Sequence, residues 1–200
     1  MTTGPARSFP PLDPASLDPA QRALAEQLLT SSKGYGGGPI PMLLRSPEMS
    51  RRLRALIVYF ARETRLPRRL CELAILIQAR FWDQDYEWWA HAPLAIDAGL
   101  SKMSLDHIRA GDRPPDLRDD EAAVYDLLIE LLDRHHPRAT VIAAARAHLA
   151  DREIVDLIGL SGTYATLALL LNLAGEGAPS AAPRPDPGST RRQPDEPSSS

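Results

Sequence analysis

Apolar residues recur at helical spacing along most of the chain. Between positions 119 and 135, Val124, Leu127, Leu128 and Leu131 fall at i, i+3, i+4 and i+7, the spacing of one helix face. No run of strand length alternates with a period of two. The predicted fold is therefore all-α, with about eight helices: 18–30, 46–64, 67–82, 86–98, 104–110, 119–135, 140–149 and 151–174.

Local residue patterns predict where the first helix starts and which helix is buried. Asp18, Pro19 and Gln21 form a capping-box pattern at the first start. In the helix 67–82, the interior from Cys71 to Ala79 is apolar all round except for Glu72 and Gln78. A helix that is apolar on every side is buried, so this one is predicted to be central.

The last helix allows two interpretations. Its segment 157–175 holds 19 uncharged residues, which is the length of a membrane span. Asp156 just before it, Thr163 and Asn172 within it, and the absence of a basic flank after it argue against insertion. We predict no membrane contact. Instead we expect a core helix that also faces another subunit, because Gly159 and Gly162 permit close helix approach.

Composition narrows the class of protein. The 200 residues carry a net charge of −3, which argues against nucleic-acid binding, and one cysteine, which excludes an intrachain disulfide framework. Of the 19 prolines, eleven lie near the two ends. We predict a flexible arm (1–17), one all-α domain (18–174) and a disordered Pro/Ser-rich tail (175–200). The first residues contain no apolar signal segment, so a cytoplasmic location is expected.

The candidate chemistry lies between residues 80 and 91, where five of the eleven aromatic residues fall. At helical spacing, Gln84, Glu87, Trp88 and His91 share a sector of about 100°. Glu87 and His91 are i, i+4 neighbours that can touch, and a carboxylate beside an imidazole is a unit for proton transfer. The alternative is a solvent-exposed pair without a catalytic role. Two donors are too few for a metal site, so no metal is predicted.

Three further residues bear on this site. Glu72 is the only acid in the apolar run 70–77, and antiparallel packing of the helices 67–82 and 86–98 could bring it toward Glu87 and His91. Arg80 is a candidate for binding a substrate carboxylate, or else for a surface or subunit salt bridge. Pro93 either kinks the helix that bears His91 or marks a point where that helix restarts. The glycine-rich loop 34–38 is a weak phosphate-binding signal.

Several segments together resemble the carboxymuconolactone decarboxylase and alkylhydroperoxidase D-like family. They are LLRSPEM, LPRRLCELAILIQARFW, YEWWAH followed by AIDAGLS, DEAAVYDLLIELL and VDLIGLSGTYATLALLLN, and they extend over about 39–172. The resemblance implies an all-helical fold that assembles as a homo-oligomer (dimer, trimer or hexamer), with its site between helices and often near a subunit boundary.

The peroxidase branch of that family carries a glutamate, a cysteine twelve residues later, a second cysteine after three more and a histidine after another four. From Glu72, those positions here hold Gln84, Glu87 and His91. The acid and the imidazole match, and both cysteines are absent. The departure removes the thiol pair of a peroxidase, and the YEWWAH form resembles the decarboxylase branch.

The resemblance therefore implies cofactor-free acid/base chemistry on a small carboxylated lactone or related oxygenated acid. It implies that His91 or Glu87 delivers a proton, that Glu72 orients His91, and that Gln84, Arg80 and Trp88 contact the substrate. Two alternatives remain open at this stage. One is a non-catalytic oligomeric ligand-binding protein, and the other is a residual antioxidant protein, which the missing cysteine pair disfavours.

Overall fold

The computed structural model describes residues 9, 10, 12–31 and 38–179, and within these ranges it is all-helical, as predicted. In these described ranges, nine α-helices follow a short 3-10 turn at Pro14–Ser16. They are α1 (Pro19–Ser31), α2 (Ile40–Leu43), α3 (Pro47–Arg62), α4 (Arg68–Phe81), α5 (Asp85–Asp97), α6 (Lys102–Ala110), α7 (Asp119–Arg134), α8 (Ala139–His148) and α9 (Asp151–Ala174).

Helix α4 is the centre of the core. Every residue from Leu70 to Ala79 is buried, and α4 packs against α5, α7 and α9. The apolar run predicted this position, because a helix without a polar face is stable only when neighbours surround it. The two polar residues in the run, Glu72 and Gln78, are buried with it.

Helix starts follow their capping residues. At α1 the predicted capping box forms. The backbone N–H of Gln21 donates to Asp18 Oδ1 at 2.8 Å, and the backbone N–H of Asp18 donates to Gln21 Oε1 at 3.1 Å. Helix α6 begins two residues before the predicted Ser104, because the Ser101 hydroxyl accepts from the Ser104 N–H and caps the helix earlier. The four-residue α2 was not predicted, since one turn is too short to show a period.

A three-residue connection makes α4 and α5 antiparallel neighbours. It consists of Trp82, Asp83 and Gln84, and Asp83 has a positive φ of 50°. Helix α5 then continues without interruption through Pro93, so the helix does not restart there. The antiparallel pair brings the second turn of α4 beside the second turn of α5, where the candidate residues lie.

The described part of the N-terminal segment packs against Arg45 and α1. The Arg45 guanidinium lies 5.5 Å from the centre of the Phe9 ring and donates to the Pro10 carbonyl at 2.6 Å. Leu17 is buried in a small apolar cluster with Leu24, Ala25, Leu28 and Leu44. Residues 1–8, 11 and 180–200 of the predicted arm and tail lie outside the described residues. So does 32–37, most of the glycine-rich loop.

Helix α9 is long and apolar enough to cross a membrane by length and composition alone. In the structure its buried face packs against α3 and α4. On its other side Val155, Ile158, Leu169 and Leu173 are exposed.

Candidate active site

Glu72 and His91 form the centre of the candidate site. Glu72 lies in the second turn of α4 and is 0% exposed, and its Oε2 lies 2.8 Å from His91 Nδ1 on α5. The antiparallel arrangement of the two helices thus produces the Glu72–His91 approach that the sequence spacing permitted. A carboxylate on Nδ1 fixes the orientation of the ring and leaves Nε2 as the nitrogen that can exchange a proton with another molecule.

Arg68 is the third member of this cluster. It is the first residue of α4, one turn before Glu72, and its Nη2 lies 2.5 Å from Glu72 Oε1. The two oxygens of Glu72 therefore face a guanidinium and an imidazole. Because a carboxylate oxygen only accepts hydrogen bonds, Nδ1 of His91 is the donor in this pair.

Glu87 lies one turn before His91 and is only 3% exposed. Neither of its carboxyl oxygens has a hydrogen-bond partner among the described residues. Burial raises its pKa from the ordinary 4.5 to about 8, so Glu87 is mainly protonated at neutral pH. The Glu87–His91 hydrogen bond that the i, i+4 spacing allows does not form, because Nδ1 of His91 is directed to Glu72.

Tyr164 of α9 is a further member of the cluster, and the sequence reasoning missed it. Its ring meets the His91 ring edge to face, with centroids 5.0 Å apart and an interplanar angle of 90°. Burial, together with the nearby carboxyls of Glu72 and Glu87, raises the pKa of its hydroxyl. A signal was present in the sequence: a tyrosine within an uncharged helix usually needs a polar partner for its hydroxyl.

Gln84 has a structural position in the connection before α5. Its Oε1 accepts from the Tyr86 N–H at 2.7 Å and caps the helix. Its Nε2 donates to Asn172 Oδ1 at 2.7 Å and to the Glu176 carbonyl at 3.1 Å. The side-chain amide therefore joins α5 to the end of α9, and these bonds engage the group for which the resemblance implied contact with the substrate.

Arg80 is distant from the Glu72–His91 pair. Eight residues separate it from Glu72 along α4, which is about 12 Å of helix rise. Its Nη1 lies 2.7 Å from Asp83 Oδ1, and its guanidinium packs beside Gly111. Gly111 ends α6 with a φ of 86°, and a Cβ there would lie 3.2 Å from Arg80 Nη2. This position favours the salt-bridge alternative over contact with a substrate at His91.

Trp88 follows Glu87 in α5 and is buried in the core, but its ring packs against a residue of α6. The Arg109 guanidinium of α6 lies over its ring, 4.9 Å from the ring centre. A cation on an indole face stabilises the packing of α5 against α6. The face of the Trp88 ring is thus covered by Arg109.

Cys71 is the only cysteine of the sequence, and it is buried beside Glu72. Burial raises the pKa of its thiol to about 11, so the reactive thiolate is scarce at neutral pH. This environment is the opposite of the one that activates a peroxidase cysteine. In the part of the chain that the structure describes, no three His, Cys, Asp or Glu side chains are grouped to hold a metal ion.

Comparisons with known proteins identify the fold. No protein-family model and no curated protein matches the sequence. A crystal structure described as an AhpD core, from an uncharacterised peroxidase-related protein of Ralstonia eutropha, aligns with a TM-score of 0.71 and 15% identity over 89% of this chain and 95% of that one. A protein of unknown function from Agrobacterium tumefaciens, described as a candidate AhpD antioxidant defence protein, aligns with a TM-score of 0.63 and 19% identity over 71% and 98%.

The fold is therefore the all-helical fold of these AhpD-like structures. This confirms the fold that the sequence segments predicted. At 15% and 19% identity the two structures establish the fold alone.

Proposed function

We propose that the protein is a carboxymuconolactone decarboxylase-like enzyme that acts by cofactor-free acid/base chemistry on a small carboxylated lactone or related oxygenated acid. One observation carries the proposal. An imidazole held by a fully buried carboxylate (His91 and Glu72) lies one helical turn from a buried, mainly protonated carboxyl (Glu87). Such a set combines a positioned base with an acid that can donate a proton near neutral pH.

The reaction needs one proton and no redox partner. The bond between the substrate carbon and its carboxylate breaks, carbon dioxide leaves, and the electron pair moves into the conjugated carbonyl. The resulting enolate takes a proton at carbon from His91 Nε2 or from Glu87, and the acid regains its proton from water. Glu72 positions His91 through Nδ1 and stabilises the imidazolium when it forms.

Cys71 weakens the peroxidase alternative. That chemistry needs a thiolate, and the one thiol of the sequence is buried with its pKa raised to about 11.

A non-catalytic ligand-binding protein is distinguished from the proposed enzyme by experiment. Its ligand would raise the melting temperature without being consumed.

The decisive assay is carbon dioxide release from a panel of small carboxylated lactones. We use His91→Asn rather than His91→Ala, because the asparagine amide can still donate to Glu72 and the buried carboxylate keeps a partner. Turnover should be lost in His91→Asn and retained in His148→Asn, which removes an exposed imidazole at the end of α8. Equal turnover in His91→Asn and wild type would refute the proposal.

We also propose that the protein is a homo-oligomer that assembles through α9. Beyond the first turn, where Asp151 and Arg152 are exposed, six uncharged exposed positions of α9 lie within a sector of about 100°. They are Val155, Ile158, Gly159, Gly162, Leu169 and Leu173. An apolar stripe on a surface helix is typical of a contact surface. A Cβ at Gly162 would meet nothing within 4 Å, so a second helix can approach there, whereas a Cβ at Gly159 would lie 3.0 Å from the Phe60 ring.

A further inference from the structure

The cluster around Glu72 has an exposed end and a buried end. Arg68 lies at the start of α4, and its side chain is 48% exposed, whereas Glu72 is fully buried. Because α5 is antiparallel to α4, the step from His91 back to Glu87 leads away from Arg68. Arg68 and Glu87 thus lie on opposite sides of the Glu72–His91 pair. Both act electrostatically on Tyr164, so they belong to one cluster.

Arg68 is suited to bind an anion at the exposed end of this cluster. A guanidinium has five N–H donors in a planar fork. The described residues provide one partner for Arg68, through Nη2 and Glu72 Oε1. The remaining donors on a half-exposed side chain can bind a carboxylate, and a two-donor contact of this kind is strong and directional. The neighbouring Arg69 is instead occupied by Asp120 and Glu121.

Glu87 is suited to bind an uncharged oxygen at the buried end. Both of its carboxyl oxygens are buried and have no partner among the described residues. A buried polar group without a partner is costly, and a ligand that accepts a hydrogen bond from it removes that cost. A second carboxylate at this position would be a buried anion close to Glu72, which is unfavourable. A carbonyl or lactone oxygen fits both conditions.

We propose that the site binds its ligand in one orientation, with a carboxylate on Arg68 and an uncharged carbonyl oxygen on Glu87. The middle of the ligand then lies against His91 and Tyr164. This assigns carboxylate recognition to Arg68 instead of Arg80. The inference extends the proposed function, since it defines the polarity of the substrate that this same site accepts.

Binding of small probes tests the orientation without turnover. The probes are levulinate (4-oxopentanoate), its methyl ester and pentanoate, titrated calorimetrically into the full-length protein. Levulinate should bind most tightly. The ester lacks the charge and pentanoate lacks the ketone, and each should bind about tenfold more weakly, which corresponds to about 1.4 kcal/mol.

Two variants assign the two ends of the ligand. Arg68→Gln should weaken levulinate about tenfold and leave the methyl ester unchanged. Arg65→Gln removes an exposed guanidinium just before α4 and should leave all three probes unchanged. Glu87→Leu should weaken levulinate to the level of pentanoate and leave pentanoate unchanged.

Three results would overturn the orientation. They are equal affinity for levulinate and its ester, equal effects of Arg68→Gln and Arg65→Gln, and an absence of saturable binding by any probe. The proposed function fails separately, through turnover that persists in His91→Asn. The binding results with the Arg68 and Glu87 variants test only the orientation, and turnover in His91→Asn tests only the proposed function, so the two failures are distinguishable.

Discussion

Glu72 and His91 are 19 residues apart in the sequence, and their side chains are 2.8 Å apart in the structure. The short connection between α4 and α5 produces this contact, because it folds the two helices back against each other. The contact places a fully buried carboxylate on one nitrogen of an imidazole. Most of the expected chemistry depends on this pair.

Replacing Glu72 by glutamine should lower turnover by at least about tenfold, because an amide cannot stabilise the imidazolium that forms on His91. The matched control is Glu121→Gln, which removes another buried, arginine-paired carboxylate, on α7. That variant should lose stability in urea unfolding and keep its turnover. Equal losses of turnover in the two variants would mean that Glu72 acts only through stability.

Glu87 should make the stability of the protein depend on pH. The unfolded carboxyl releases its proton near pH 4.5, whereas the folded one holds it until about pH 8. Between these values the folded state binds the extra proton, so the free energy of unfolding falls as pH rises, by up to about 1.4 kcal/mol per pH unit. Above pH 8 this loss is complete and no further decrease follows.

Glu87→Gln removes the titrating group, so its stability relative to wild type should increase from pH 4.5 to 8. Urea unfolding at several pH values measures the difference. The control variant Glu63→Gln changes an exposed carboxylate and should keep a constant offset from wild type. A constant offset for Glu87→Gln as well would contradict the raised pKa.

Gln84→Ala should destabilise the fold by about 1–2 kcal/mol, because it removes the cap of α5 and the bonds to Asn172 and the Glu176 carbonyl. Chemical denaturation measures this change, and turnover below the melting transition should be retained. Normal stability without turnover in Gln84→Ala would contradict this structural role. It would indicate that Gln84 contacts the substrate, as the sequence suggested.

Substitution on the exposed face of α9 should change the oligomeric state. Leu169→Glu places a charge in the apolar stripe and should shift the protein to a smaller species in detergent-free gel filtration. Ile142→Glu changes an exposed apolar residue on α8 and should leave the species unchanged. The same elution volume for wild type and Leu169→Glu would exclude α9 as the contact surface.

The sequence predicted the fold well because burial leaves a strong periodic signal. The run 70–79 could only be a central helix, and the Asp18–Gln21 capping box formed as expected. Short elements left no such signal, as α2 shows. The all-α class follows from patterns that extend over several turns.

The site was harder to predict, because a sequence shows which residues share a helix but not what lies opposite them. The expected Glu87–His91 pair lies on one helix, whereas the observed Glu72–His91 pair joins two. Tyr164 comes from a third helix, 73 positions after His91. Arg68 could have been found, since it stands one turn before Glu72 in the sequence, on the same face.

The central claim is that His91, held by Glu72, takes part in a decarboxylation that ends with a proton reaching carbon. Turnover of a carboxylated lactone in D2O, followed by mass spectrometry of the product, tests it most directly. We predict carbon dioxide release and one deuterium bound to carbon in the wild type, with both abolished in His91→Asn and retained in His148→Asn. Deuterated product at an equal rate from His91→Asn, or ligand binding without carbon dioxide release in the wild type, would contradict the claim.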